Sequence, residues 1–198
     1  RPLFRNRPFL GFLALTVAVL FAVQVGLPLM PNFLQEVRGL DVALIGLLGS
    51  VNALGVTAAN LIFGRLSRPR VGLLIALSAT AAALALLLAT GSLPLLFGVY
   101  LLRSGWNLAV SMTLAQVGRM VSQAEIGLAY GVLETMVALA QMLGPLAAGA
   151  LYAAQPALPF QVSLALSLLA LPLIWRFAPR RDAHSEIEAL AAPARDPA

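Results

Sequence analysis

Residues 127–152 read GLAYGVLETMVALAQMLGPLAAGALY (Gly127–Tyr152). At helical spacing Gly127, Gly131, Glu134, Ala138, Gln141 and Pro145 recur every three or four residues and share one stripe. That stripe is small or polar. The opposite face carries Val132, Leu133, Met136, Leu139, Leu143 and Leu146 and is apolar. A run this long and this apolar predicts a membrane span rather than a soluble helix. A glutamate near its middle costs roughly 2.5–3.5 kcal/mol to insert, so Glu134 is expected to face protein or water, not lipid.

Composition extends the same reading to the whole chain. Of 198 residues, 60% are hydrophobic and only 11% charged, where soluble domains carry about 25% charge. Mean hydropathy is +0.90. The class expected is an all-α polytopic membrane protein. Cysteine is absent, which excludes disulfides and thiolate metal sites. In a soluble protein a pI near 11.0 would point to nucleic acid. Here every basic residue is an arginine and most sit in short loops, so membrane topology accounts for them and no nucleic-acid partner is expected.

Six apolar runs cover about 9–34, 42–64, 71–91, 94–116, 126–153 and 160–177, each long enough for a bilayer. They define a six-span bundle over 1–179, followed by a polar tail, 180–198, expected to be disordered. Eleven of the thirteen arginines fall before span one, between spans two and three, after span four, or at the end of span six and in the tail. That asymmetry predicts that both termini are cytoplasmic. Span three offers only Ser78, Thr80 and Thr90 as polar side chains, and span six has Gln161, Ser163 and Ser167, with Trp175 and Arg176 at its end. Spans one, two, four and five carry Gln24, Asn52, Asn60, Arg103, Asn107, Glu134 and Gln141. Amides and charges gather where helices face a wet or protein-lined interior, so these four spans are expected to line a shared path, with three and six outside it.

Arg103 lies roughly 13 Å into span four from one surface, and Glu134 roughly 12 Å into span five from the other. Across a core of about 30 Å the two charges come to similar depth and are expected to pair or share water. Two readings stand: a switchable pair on a substrate or proton path, or a static pair holding spans four and five together. Asn107 is one turn from Arg103, and Gln141 two turns from Glu134, each on the same face. Gln24, Asn52 and Asn60 are either substrate contacts or interhelical glue. Gly144 and Pro145, with Gly149 beyond them, bend span five or let it pack closely. The turn holding Gly64, Arg65, Arg68 and Arg70 either anchors topology at the headgroups or takes part in gating.

The only histidine, His184, is in the tail, and the spans hold one carboxylate at membrane depth. A metal site needs clustered His, Cys or carboxylates, and no phosphate-binding glycine loop is present. Neither enzyme chemistry nor a cofactor is expected.

Several ordered motifs resemble one half of a major facilitator superfamily (MFS) transporter. Pro31–Glu36 followed by Gly39, Ile45 and Gly46 is similar to the family's passage from a first to a second span. Gly64-Arg65-Leu66-Ser67 resembles its loop between spans two and three, with Arg68 where the family has an acid. Leu102-Arg103-Ser104-Gly105-Trp106-Asn107 resembles the fourth-span arginine motif, with Trp106 and Asn107 in place of Gln-Gly. Gly131, Gly144, Pro145 and Gly149 resemble the fifth-span glycine–proline motif, which in the family accompanies proton-linked export.

The resemblance implies six helices in 3+3 inverted repeats, working with a second six-helix half. The altered loop motif, the absence of a first Met and the polar tail point to the C-terminal half. The expected function is half of a secondary transporter in the cell membrane, moving a small solute by alternating access. The resemblance extends this to proton-coupled efflux by antiport, with H+ as a partner. The alternative of another class is a non-transporting scaffold or receptor-like module of transporter ancestry.

Overall fold

The computed structural model describes residues 7–63 and 69–177. Those residues form eight α-helices: α1 (Arg7–Gly26), α2 (Met30–Glu36), α3 (Val42–Phe63), α4 (Pro69–Ala89), α5 (Leu93–Leu102), α6 (Gly105–Gly118), α7 (Ile126–Ala154) and α8 (Leu158–Phe177). There is no strand among the described residues. Six helical stretches are long and apolar enough to cross a membrane: Phe9–Glu36, Val42–Phe63, Arg70–Ala89, Leu93–Gly118, Ile126–Ala154 and Leu158–Phe177. They are called spans one to six. The end where span one begins and span six finishes is the terminal end; the opposite one is the far end.

Two spans are broken part-way. Span one passes from α1 to α2 through a 3₁₀ turn at Leu27–Leu29, with prolines near the start of both following segments. Proline has no N–H, so Pro28 cannot donate to the Gln24 carbonyl one turn back. Span four breaks at Arg103 and Ser104, whose ψ angles of −24° and −16° are shallower than the α-helical value. Three bonds there tighten to i−3: Ser104 N to Leu101 O, Trp106 N to Arg103 O, and Asn107 N to Ser104 O. The Ser104 hydroxyl also donates to Leu101 O at 2.7 Å.

The far-end turn between α2 and α3 depends on Gly39, whose φ of +68° is costly for any residue with a Cβ. Asp41 then opens α3, its Oδ2 accepting from Ala43 N at 3.2 Å.

The main contacts run between spans one and six, one and five, three and four, two and four, and three and six. Exchanging one with four, two with five and three with six maps this set onto itself, as a 3+3 repeat requires. The core joins Phe9, Leu20, Met30 and Leu34 of span one to Leu84 and Leu87 of span three, Val99 and Tyr100 of span four, and Phe160 of span six. In hydrocarbon such contacts act through close packing rather than escape from water. Small residues therefore sit at the tightest crossings. A Cβ on Gly105 would strike the Ala76 carbonyl and lie 2.9 Å from Thr80 Oγ1, and one on Gly144 would lie 2.7 Å from the Gln24 Cβ. Span two is the loosest element. It packs mainly on span four, and 11% of its apolar window is buried, against 61% for span one.

Candidate functional site

The polar side chains expected to form a path occupy different environments. Arg103 is half-buried at the break in span four. Its guanidinium carbon stands 5.4 Å from the centroid of the Tyr100 ring, close enough for a cation–π contact. Tyr100 is almost wholly buried, and its hydroxyl has no hydrogen-bond partner. Trp106 is half-buried, and Asn107, one turn beyond Arg103, is exposed. Span two approaches the same break: a Cβ on Gly55 would lie 2.9 Å from Leu101 O and 3.2 Å from Ser104 Oγ. Asn52, one turn from Gly55 on the same face, keeps a buried Oδ1 without a partner. The break thus gathers Arg103, Tyr100 and Asn52 near one level of the bundle, whereas Asn60 lies exposed two turns further along α3.

Glu134 is exposed on α7, as are Gly127, Gly131, Ala138, Gln141 and Gly149 of the same stripe. The buried face of this helix is instead Ala129, Leu133, Val137, Ala140, Gly144 and Ala148. Of the apolar face expected from the sequence, Leu133 is buried, whereas Leu139, Leu143 and Leu146 are exposed. Pro145 lies inside α7 without ending it. It leaves the Gln141 carbonyl without its helical donor, adding an acceptor to the polar stripe. A matching exposed stripe of Gly46, Ser50, Ala53, Thr57 and Asn60 runs along span two.

The expected pairing of Arg103 with Glu134 is not present. Neither side chain makes an ion pair among the described residues. The reason is axial offset. Span four meets span five where Tyr130 Oη abuts Gly118, 2.6 Å from where a Cβ would stand. Arg103 lies about 22 Å along span four from Gly118, while Glu134 is only about 6 Å beyond Tyr130 in the same direction. The remaining gap of about 16 Å exceeds any arginine's reach. Spans of 26 and 29 residues are about 39 and 43 Å long, so depths measured inward over a core of about 30 Å bring the two charges too close.

Gln24 is half-buried and packs on Gly144 at the crossing of spans one and five. A Cβ placed on Gly131 or Gly149 would have nothing within 4 Å, so of the motif glycines only Gly144 is a packing residue within this bundle. Arg70 is half-buried at the start of span three. Gly64, Arg65 and Arg68 of the same turn lie outside the described residues, as does the tail.

A groove between spans one and five has no counterpart among the sequence-based expectations. It encloses about 650 Å³ and is lined by Leu10, Leu13, Val17, Phe21, Met136 and Leu143, among other apolar side chains. That volume suits a small organic molecule. Among the described residues no cluster of His, Cys, Asp or Glu could hold a metal ion.

A search of curated proteins finds no match. The family model described as Major Facilitator Superfamily matches residues 12–196, nearly the whole chain, and the six-helix bundle fits a single half of that fold. The chain therefore belongs to the Major Facilitator Superfamily, a family of membrane transporters.

Proposed function

We propose that this chain is the C-terminal half of a secondary transporter, carrying a small solute by alternating access as it rocks against a second six-helix half. The supporting observation is the exposed polar stripe of span five. Glu134, Gln141 and the freed Gln141 carbonyl lie on the surface of this bundle at membrane depth. A carboxylate facing lipid there would cost roughly 2.5–3.5 kcal/mol. A surface of this kind needs water or protein against it, and a solute path between two halves supplies both. On span two the need is smaller: Asn60 is an exposed amide, while Ser50 and Thr57 donate to carbonyls of their own helix.

On this reading Arg103, held over Tyr100, is a fixed cation on the path, and Glu134 is a separate carboxylate. Gln24, Asn52, Asn60, Trp106, Asn107 and Gln141 supply polar and aromatic contacts along it. Protonation of Glu134 would couple solute movement to H+, in the direction of efflux. The termini lie on the cytoplasmic side of the cell membrane, where the arginine-rich end belongs.

The test is flux through the full-length protein in vesicles under an imposed proton gradient. E134Q is expected to abolish the pH dependence of flux, and R103A to abolish flux while insertion is retained. Unchanged uptake with unchanged pH dependence in E134Q would remove Glu134 from the mechanism.

A further inference from the structure

At the terminal end, where span three begins and span six finishes, four side chains form an arrangement that lies on neither polar stripe. Arg70 stands in the first turn of α4, which contains no acidic residue. A cation there opposes the positive end of the helix macrodipole. Its guanidinium carbon lies 5.8 Å from the centroid of the Trp175 ring. Its Nε is buried with no hydrogen-bond partner. Arg176 follows in the last turn of α8, exposed, its guanidinium carbon 5.6 Å from the Phe177 ring. Trp175 and Phe177 are themselves 60% and 64% exposed. No carboxylate pairs with either arginine among the described residues.

The surface leading away from this corner is hydrocarbon-like. Spans three and six pack on each other, and Val71, Leu168, Leu169 and Leu173 remain exposed on them. A corner with two cations that no carboxylate pairs among the described residues, two aromatic rings and an apolar flank matches the three parts of a phospholipid. Guanidinium groups bind phosphate oxygens through paired N–H donors. Tryptophan favours the headgroup level, and exposed leucines favour acyl chains.

We propose that Arg70, Trp175, Arg176 and Phe177 form a binding site for an anionic phospholipid. Its phosphate lies between the two guanidinium groups, and one acyl chain runs along the exposed flank of spans three and six. Arginines that set topology act through their number in the loops on one side. Arg70 differs because its guanidinium lies over the Trp175 ring and its Nε is buried, which restricts the side chain. This site does not depend on the transport reading, since it lies on neither polar stripe.

The experiment is native mass spectrometry of the full-length protein, released from membranes containing phosphatidylglycerol and phosphatidylcholine of identical acyl chains. The wild type is expected to retain phosphatidylglycerol in about tenfold preference, and R70Q/R176Q to lose most of that preference. R176Q alone, at an exposed position where folding is not at stake, should lower it about threefold. R7Q, at an exposed arginine at the same end, the first residue of α1, should leave it unchanged. The proposal is overturned if R176Q and the double variant keep the wild-type preference, or if R7Q lowers it equally, which would indicate a diffuse basic surface. Displacement of the lipid by millimolar inorganic phosphate would also overturn it, since the site would then recognise a soluble anion.

Discussion

The hydroxyl of Tyr152, at the far end of span five, donates a 2.9 Å hydrogen bond to Oε2 of Glu36 at the end of α2. Arg38 Nη2 donates to Leu87 O of span three at 3.2 Å, and its guanidinium lies 5.5 Å from the Phe33 ring. The tip of span one, beyond its 3₁₀ break, is thus tied to two other spans. Y152F should lower stability by no more than about 1 kcal/mol, because the bond is exposed. Hydrogen exchange should nevertheless speed up across residues 30–36 while the rest of span one stays protected. Uniform exchange along span one would show that the bond does not hold the tip.

Tyr100 supplies its ring to Arg103 and leaves its hydroxyl unused. Y100F keeps the ring and removes a buried group without a partner, so it should be neutral or stabilising by up to about 1 kcal/mol. Y100L loses the ring and should reduce flux as R103A does. Thermal unfolding and vesicle flux on the same preparations separate the two effects.

The offset of about 16 Å between Arg103 and Glu134 along the helix axes predicts additivity. In a double-mutant cycle with R103A and E134Q, the coupling in unfolding free energy should stay below about 0.5 kcal/mol. A coupling of several times that size would mean that the two charges meet in another conformation of the transport cycle.

The motif glycines of span five should divide. A Cβ at Gly144 would press on the Gln24 side chain and backbone, so G144A should cost about 1–3 kcal/mol. At Gly131 and Gly149 the space is open. Alanine there should be neutral or gain up to about 1 kcal/mol from helix propensity. Unfolding in detergent measures all three.

Ser163 and Ser167 on span six are fully buried, and neither hydroxyl has a partner. Replacing either with alanine should raise stability by about 0.5–1 kcal/mol. A loss of stability instead would reveal a water or helix-carbonyl contact that satisfies the hydroxyls.

The six crossings are legible in the sequence because apolar length is a property of the chain itself, independent of neighbours. The 3+3 architecture comes from the resemblance, and the packing pattern agrees with it. The positions of side chains around and along the helices are less legible. Sequence depth turns Glu134 inward toward Arg103 only if spans begin and end at common planes, and spans four and five overrun them. The break at Arg103 does carry a local signal: Ser104 and Gly105 form the serine–glycine pair that often bends helices. Tyr100 carries none, since an aromatic residue in an apolar run looks like any other packing residue. The groove between spans one and five depends on how two helices splay, which neither helix encodes alone.

Span two, held mainly by span four, brings one further consequence, in biosynthesis. On the proposed two-half reading, a newly made copy not yet docked on a second half would present this helix as its weakest point, because little of it is packed and its polar stripe is exposed. Segments with few buried contacts open first, so proteolysis of such a copy should begin in span two. Pulse-chase with and without the companion half would show which fragments appear earliest.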